Sequence, residues 1–260
     1  MRIAIVGGTG TLGGHVVTEL RSRGHEVRVL SRSAPEYRVD LLTGAGLGPA
    51  LEGCDAVVDA SNNASRRAAA VLVGGTRRLL DAEQAAGVRH HVCVSIVGCD
   101  QLPMGYYAVK TDQERLVEQG PVPWTIVRAT QFHELIAKIL GAAARWRALP
   151  APRARLQPVA CAEVARYVAD IAEQPARRAG TSIAGPEVTE LRTLARTWRS
   201  VTGRPPALIP FWVPGRIGRA LRSGALTTGQ AEMTGRVSFA AWLEAQAGAA
   251  ATARGTPGPG

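Results

Sequence analysis

Glycines are concentrated at the start of the chain, in the run Gly7-Gly8-Thr9-Gly10-Thr11-Leu12-Gly13. The run follows a short apolar segment, Arg2–Val6, and opens a segment with apolar residues at helical spacing, Thr11–Arg23. Such glycines permit a tight turn, close approach of a pyrophosphate, and close packing of the helix on the strand. The helix N-terminus then offers free N–H groups and the positive end of its dipole to the phosphates. The spacing predicts a dinucleotide-binding turn whose contact residues are Gly7, Thr9, Gly10, Thr11, Leu12 and Gly13.

An arginine follows the second predicted strand, Glu26–Leu30, in the tripeptide Ser31-Arg32-Ser33. Sites specific for NAD usually carry a carboxylate here, which bonds the ribose 2′-hydroxyl. A guanidinium can instead pair with the 2′-phosphate of NADP. Arg32 therefore favours NADPH over NADH as the cofactor.

Three polar residues further along the chain could perform proton chemistry: Ser95, Tyr106 and Lys110. Tyr106 and Lys110 are four residues apart, so on a helix they share one face. We expect the Lys110 ammonium to lower the pKa of the Tyr106 phenol toward neutrality. Lys110 could also hold the nicotinamide ribose, and Ser95 could polarise a substrate carbonyl and contact the cofactor.

The elements around these residues alternate between short apolar runs and longer helical patterns. The runs are apolar on successive residues, which is typical of parallel strands covered on both faces. The pattern predicts a doubly wound α/β fold with a parallel sheet. Its strands and helices include Ala56–Asp59, Ala64–Ala86, His91–Ser95, Tyr106–Gln119 and Trp124–Val127.

After Arg128 the alternation of apolar strand-like runs and helical patterns becomes less regular, which predicts a change of architecture. We expect a core domain over residues 1–130 and a smaller α/β substrate lobe over 131–245, with parts of the lobe returning to the core. The alanine-, glycine- and proline-rich residues 246–260 are expected to be disordered.

Composition and residue spacing argue against several classes of protein, namely nucleic-acid-binding, membrane-spanning, secreted and metal-binding proteins. The 260 residues carry a net charge of +10, but the basic residues are scattered and lack interleaved aromatics, which argues against a nucleic-acid partner. No apolar run reaches the length of a membrane span, and the N-terminus lacks the apolar core of a signal peptide, so we expect a cytoplasmic protein. The cysteines lack metal-binding spacing, and no metal is expected. They are Cys54, Cys93, Cys99 and Cys161.

These features together resemble the short-chain dehydrogenase/reductase superfamily, and more closely its atypical, NmrA-like NAD(P)H-binding branch. The resemblance extends to about Leu243 and implies a Rossmann-type domain with a small C-terminal substrate lobe. It implies cofactor contacts at Asp40 and Leu41 on the adenine side and at Ala60, Ser61 and Asn62 nearer the nicotinamide. It also implies substrate contacts at Gln131, Phe132 and His133. The runs that carry it are Gly7–Gly13, Ser95 with Tyr106 and Lys110, Val94–Gly98, Trp124–Phe132, Gln157–Val159 and Ala184–Glu187.

Two alternatives remain open in the sequence. Tyr107, three residues before Lys110, could serve as the proton donor and contact the substrate in place of Tyr106. The resembling branch contains reductases and also redox-sensing regulators. The sequence therefore predicts an NADPH-dependent reductase acting on a carbonyl or quinone of a small, fairly apolar molecule. The alternative is a non-catalytic NAD(P)H-sensing regulator that binds a protein partner, and homo-oligomerisation is left open.

Overall fold

A computed structural model describes residues 1–146, 149–204 and 208–254. Its central feature is an eight-stranded sheet. The strands of this sheet are β1 (Arg2–Val6), β2 (Glu26–Ser31), β3 (Tyr37–Arg38), β4 (Ala56–Asp59), β5 (His90–Ile96), β6 (Trp124–Ala129), β9 (Ala179–Ala184) and β12 (Met233–Thr234). Their spatial order is β12-β9-β6-β5-β4-β1-β2-β3.

The strands from β3 to β9 run parallel to their neighbours. In the middle of the sheet, β1 pairs with β2 from Arg2 opposite Glu26, and with β4 from Ile3 opposite Ala56. Residues of β1, β4 and β5 are buried in succession, so both faces of the sheet are covered. The predicted doubly wound, Rossmann-like α/β fold is confirmed.

Helices connect the strands of this sheet. They are α1 (Thr11–Ser22), α2 (Leu47–Leu51), α3 (Gly75–Ala86), α4 (Gly105–Glu118) and α6 (Cys161–Ala172). A π-helical segment, Ala70–Gly74, leads into α3, so the predicted helix from Ala64 starts late and residues 64–67 are not helical. A 3₁₀ turn, Cys99–Gln101, precedes α4.

The chain divides into two compact units. The first contains Met1–Ala129, Cys161–Ile183 and Ala231–Met233. Although α6 lies late in the sequence, it belongs to this unit because it packs against α1. Arg23, which follows α1, forms ion pairs with Asp170 at 2.7 Å and with Glu173 at 2.9 Å.

The second unit contains Thr130–Ala160, Ala184–Gln230 and Thr234–Gly260. Its elements are α5 (His133–Trp146), β7 (Leu149–Pro152), β8 (Arg155–Leu156), β10 (Thr189–Glu190), α7 (Leu191–Thr202), β11 (Leu208–Phe211), α8 (Gly215–Ser223) and α9 (Phe239–Arg254). Two small sheets lie in this unit, a parallel pair β7–β11 and an antiparallel pair β8–β10.

Part of the C-terminal segment that was expected to be disordered, residues 246–260, is helical. Helix α9 continues through residues 246–254, and its start is held by the buried side chains of Phe239 and Leu243. Alanine has the highest helix propensity of all residues, which accounts for a helix in this stretch. The remaining predicted tail, 255–260, lies outside the described residues.

Candidate functional site

The glycine turn joins β1 to α1. Gly7 has a φ of +74°, a conformation that a residue with a side chain rarely adopts. Its N–H donates to Leu30 O at 2.9 Å, and its carbonyl accepts from Gly10 N at 2.8 Å. A Cβ on Gly7 would lie 2.9 Å from Ala60 O and 3.0 Å from Ser61 Cα. The turn is therefore in direct contact with the loop that follows β4.

Gly13 brings α1 against the turn. A Cβ at this position would lie 2.2 Å from Gly7 O and 2.8 Å from Gly8 Cα, distances that real Cβ atoms essentially never show. A Cβ at Gly10 would lie 3.1 Å from Gly7 O. The backbone of this turn is thus packed as closely as the dinucleotide motif requires.

The N-terminus of α1 is open to a ligand. Its N-cap, Gly10, makes no side-chain hydrogen bond to the helix, and no acidic residue lies in the first turn. Thr9, Gly10 and Thr11 are exposed, whereas Leu12 and Gly13 are buried. The first backbone N–H groups of a helix have no intrahelical partner, so an uncapped helix N-terminus is a site for phosphate oxygens.

Arg32 is exposed just after β2, and it makes no hydrogen bond or ion pair within the described part of the chain. The structure places a second guanidinium at this edge, because Arg38 of β3 is in register with Ser31. Arg38 was not among the sequence candidates, since a two-residue strand leaves no readable pattern.

Asp40 and Leu41 follow β3 directly. Asp40 Oδ1 accepts a hydrogen bond from Leu42 N at 2.9 Å, which fixes a turn. Leu41 is buried against α3, where a Cβ on Gly75 would lie 2.9 Å from Leu41 Cβ. Their assignment to the adenine side stays a prediction.

The loop after β4 contains Ala60, Ser61 and Asn62. Asp59, the last residue of β4, accepts a hydrogen bond from Ser61 N at 2.9 Å. Ser61 Oγ is buried and has no hydrogen-bond partner among the described residues. Such orphaned hydroxyls are rare inside proteins, so this group suits a ligand that approaches from the glycine turn.

Ser95 lies near the end of β5 and is buried. Its hydroxyl faces the Cys99 thiol at 3.9 Å, and that thiol donates to Glu114 Oε1 at 3.5 Å. Glu114 in turn pairs with Arg128 at 2.6 Å. The structure thus places Ser95 at the start of a polar chain inside the first unit, and its contact with a substrate oxygen stays a prediction.

Lys110 is buried in α4, with 3% of its surface exposed. Its ammonium donates to Val94 O at 2.7 Å and to Gln113 Oε1 at 2.6 Å. The phenol of Tyr106 instead donates to Asn62 Oδ1 at 2.7 Å. The tyrosine and the lysine share one helix face, as expected, but each is hydrogen-bonded to a different partner.

The expected effect of Lys110 on Tyr106 is wrong in direction. Burial raises the pKa of the Tyr106 phenol to about 12, with smaller contributions from Tyr107 and Cys99. Burial also raises the pKa of Tyr107, whose ring lies edge-to-face with that of Tyr106 at 6.2 Å. Loss of hydration outweighs any Coulomb attraction, since the charged phenolate is the form that burial disfavours.

Gln131, Phe132 and His133 lie in the second unit, where their described contacts are structural. Gln131 donates to Leu226 O and accepts from Gln157 N, both at 2.9 Å. His133 is fully buried and bonds Val237 O at 2.9 Å. Phe132 forms an isolated bridge with Val159. Their predicted contact with a substrate stays a prediction.

The runs Gln157–Val159 and Ala184–Glu187 meet each other and Thr130 inside the second unit. Gln157 Nε2 donates to Gly185 O at 2.9 Å, and Gly185 N donates to Thr130 Oγ1 at 3.2 Å. A Cβ on Gly185 would lie only 1.8 Å from Pro158 O. These runs are therefore explained by packing within their own unit.

Within residues 1–146, 149–204 and 208–254, His, Cys, Asp and Glu form no group of three or more that could hold a metal ion. None of the helices described there combines the length and the apolar character that crossing a membrane requires.

Comparisons with known proteins agree with this geometry. The photosystem II assembly factor Ycf39 of Trieres chinensis is 31% identical over 149 residues, which cover 52% of this chain and 47% of that protein. The chain spans about half the length of the curated relatives it matches.

Solved structures with the same fold cover nearly the whole chain. An NADPH-dependent quinone oxidoreductase of Escherichia coli has a TM-score of 0.75 at 17% identity, covering 94% of this chain and 99% of that one. A nucleoside-diphosphate-sugar epimerase of Staphylococcus aureus has a TM-score of 0.76 at 17% identity, covering 94% and 100%. This likeness is one of fold, and it agrees with the expected Rossmann-type architecture.

A family model described as NAD(P)H-binding matches residues 7–175. The match begins at the first glycine of the turn and includes the loop after β4, the end of β5 and the whole of α4. Because this match covers more than half of the chain, the protein belongs to the NAD(P)H-binding family.

Proposed function

We propose that the protein is an NADPH-dependent reductase that acts on a carbonyl or quinone group of a small, fairly apolar molecule. One arrangement in the first unit carries the proposal. The glycine turn touches the loop after β4 through Gly7 and Ala60, and Tyr106 of α4 is hydrogen-bonded to Asn62 of the same loop. A phosphate-binding helix end and a proton-donating phenol therefore border one loop.

The residues present fit a dinucleotide. The N–H groups of the first turn of α1, which have no intrahelical partner, would hold the pyrophosphate, and the orphaned Ser61 hydroxyl would bond the ligand near the nicotinamide end. Lys110 has two hydrogen bonds among the described residues, which leaves one of its three N–H donors for a ribose hydroxyl.

The cofactor, when bound, supplies a hydride to the substrate carbon. Tyr106 supplies the proton that the substrate oxygen then requires. A phenol whose pKa is raised to about 12 is fully protonated at neutral pH, so its proton is present for donation, and the raised pKa makes the phenol a weaker acid than one titrating near neutrality. For a quinone this role matters less, since the reduced product can take a proton from water.

The phosphorylated cofactor is favoured by charge. Arg32 is exposed and Arg38 lies at the same edge of the sheet, so two guanidinium groups border the position expected for a 2′-phosphate. The quinone oxidoreductase with the same fold is itself described as NADPH-dependent.

Arg32→Gln is expected to weaken NADPH binding about tenfold and to leave NADH binding unchanged, because a charge-assisted hydrogen bond contributes about 1.5–3 kcal/mol. Fluorescence titration of both dinucleotides measures this. Arg21→Gln, which removes another exposed arginine of the same unit, is the matched control and should change neither affinity. Equal losses of affinity for NADPH and NADH would show that Arg32 does not recognise the 2′-phosphate.

The reductase itself is tested by following loss of dihydronicotinamide absorbance with a panel of quinones and ketones. Oxidation of NADPH that depends on an acceptor supports the proposal. Tight NADPH binding without oxidation by any acceptor in the panel would overturn it.

One observation favours a second candidate, a non-catalytic role with a protein partner. The curated relatives at 31% identity are described as photosystem II assembly factors. A redox sensor must bind NADPH and NADP⁺ with different affinities, whereas turnover requires release of both. A large affinity difference in the absence of any turnover would favour this candidate.

A further inference from the structure

Lys110 is an unusual residue in this chain. The sequence has 31 basic residues, but only Lys110 and Lys138 are lysines. Lys110 is 3% exposed, so its ammonium has lost nearly all contact with water. A buried cation is tolerated only where fixed acceptors and a compensating charge replace that water.

The acceptor beside Val94 O is the side chain of Gln113, which is fully buried. Its orientation follows from chemistry, because an ammonium can only donate and must therefore face Oε1. The amide Nε2 then points the other way and donates to Asp59 Oδ2 and to Thr76 Oγ1, both at 3.0 Å. Gln113 thus accepts from a cation and donates to an anion at the same time.

Asp59 supplies the compensating charge. Its carboxylate is 1% exposed and lies at the end of β4. One oxygen accepts from Gln113 and from Thr76 at 3.4 Å, and the other accepts from Ser61 N at 2.9 Å. The same carboxylate therefore orders the Lys110 network and the loop that contacts Gly7.

We propose that Gln113 and Asp59 are positioning residues for the nicotinamide half of the cofactor. Asp59 balances the charge of Lys110 through the Gln113 amide, and the network aims the remaining N–H of Lys110 at the ribose while it fixes the Ser61 loop. This role rests on the proposed function, and neither residue needs to touch the cofactor. Asp59 and Gln113 are 54 positions apart, so only the fold joins them.

The network can be tested by exchanging its charges. Gln113→Glu places a second carboxylate 3.0 Å from Asp59, and Asp59→Asn removes the charge that balances Lys110. Each single variant is expected to bind NADPH about tenfold more weakly, as for loss of one hydrogen bond to a charged group.

The double variant restores one anion and one amide with their positions exchanged. The new amide at position 59 can donate to the new carboxylate at position 113 and still accept from Ser61 N. The double variant should bind NADPH within about threefold of the unaltered protein, a coupling that independent sites do not show.

Two controls separate positioning from a merely structural role. Adenosine 2′,5′-bisphosphate lacks the nicotinamide half, so its affinity should stay unchanged in all three variants. Gln84→Glu adds the same charge at an exposed glutamine and should leave NADPH binding unchanged.

The outcomes distinguish the two proposals. Rescue in the double variant, with constant adenosine bisphosphate binding, supports the positioning role. This inference alone is overturned if the losses of NADPH affinity in the two single variants add in the double variant. It is also overturned if NADPH and adenosine bisphosphate lose affinity equally. Failure of the unaltered protein to bind NADPH would overturn the proposed function and this inference with it.

Discussion

Gly13→Ala is expected to lower the free energy of unfolding by about 3 kcal/mol, near the upper end for overpacking, and to weaken NADPH binding at least about a hundredfold. The added Cβ would lie 2.2 Å from Gly7 O and 2.8 Å from Gly7 C and Gly8 Cα. All three atoms belong to the backbone of a turn held by hydrogen bonds to Leu30 O and from Gly10 N, so none can rotate away. Relief requires α1 to move from the sheet, which displaces the N–H groups that would bind phosphate.

The neighbouring glycine provides a matched control. A Cβ on Gly14 would meet only Gly8 O, at 4.0 Å. Gly14→Ala should therefore fold normally and gain about 0.5–1 kcal/mol, since alanine is favoured over glycine inside a helix. Urea unfolding and fluorescence titration measure both variants. If Gly13→Ala were as stable as Gly14→Ala, the close packing described for this turn would be incorrect.

Tyr106→Phe is expected to lower kcat for a ketone about a hundredfold while the Kd for NADPH stays unchanged. The phenol hydroxyl is the only group that phenylalanine lacks, and we propose that it protonates the substrate oxygen. With a quinone acceptor the loss should be much smaller, because water can protonate the reduced product. Parallel steady-state assays with the two acceptor classes measure the difference.

Tyr107→Phe is the control for this variant and also tests the rival donor. Both phenols lie at the start of α4, and burial raises the pKa of each. Of the two, Tyr106 is the one whose phenol is hydrogen-bonded, within the described residues, to the loop that faces the glycine turn, so Tyr107→Phe should retain its activity. A loss confined to Tyr107→Phe would transfer the donor role to Tyr107.

The pH profile of ketone reduction follows from the raised pKa of Tyr106. In the proposed mechanism the neutral phenol is the active form, and its pKa of about 12 keeps it protonated over the ordinary working range. A raised pKa therefore extends activity to higher pH, and kcat should stay constant from neutrality to about pH 10. A fall centred near pH 8 that disappears in Tyr106→Phe would contradict the structure.

Local sequence patterns were sufficient to predict the elements that we propose hold the cofactor. The apolar run of β1, the glycine spacing and the helical periodicity of α1 predict the turn, because each depends on residues within about ten positions. Strands β4, β5 and β6 likewise appear where successive apolar residues predict them, whereas the two-residue β3 was not predicted. At the C-terminus, disorder is expected from the alanine-rich composition, but α9 extends to Arg254. The same composition suits a helix as well as a disordered tail.

Contacts distant in sequence decided what the candidate residues can do. Arg38 joins Arg32 at one edge through strand pairing, and Gln113 and Asp59 meet Lys110 only through the packing of α4 on the sheet. Spacing alone predicted the pair of Tyr106 and Lys110 but could not show their separate partners. It also could not show that burial raises the pKa of the phenol, because desolvation depends on every atom packed around it. The sequence by itself determined the glycine turn that we propose binds the cofactor, because the turn depends on neighbouring residues. The tertiary structure decided the hydrogen-bond partners and the burial of the polar residues beside it.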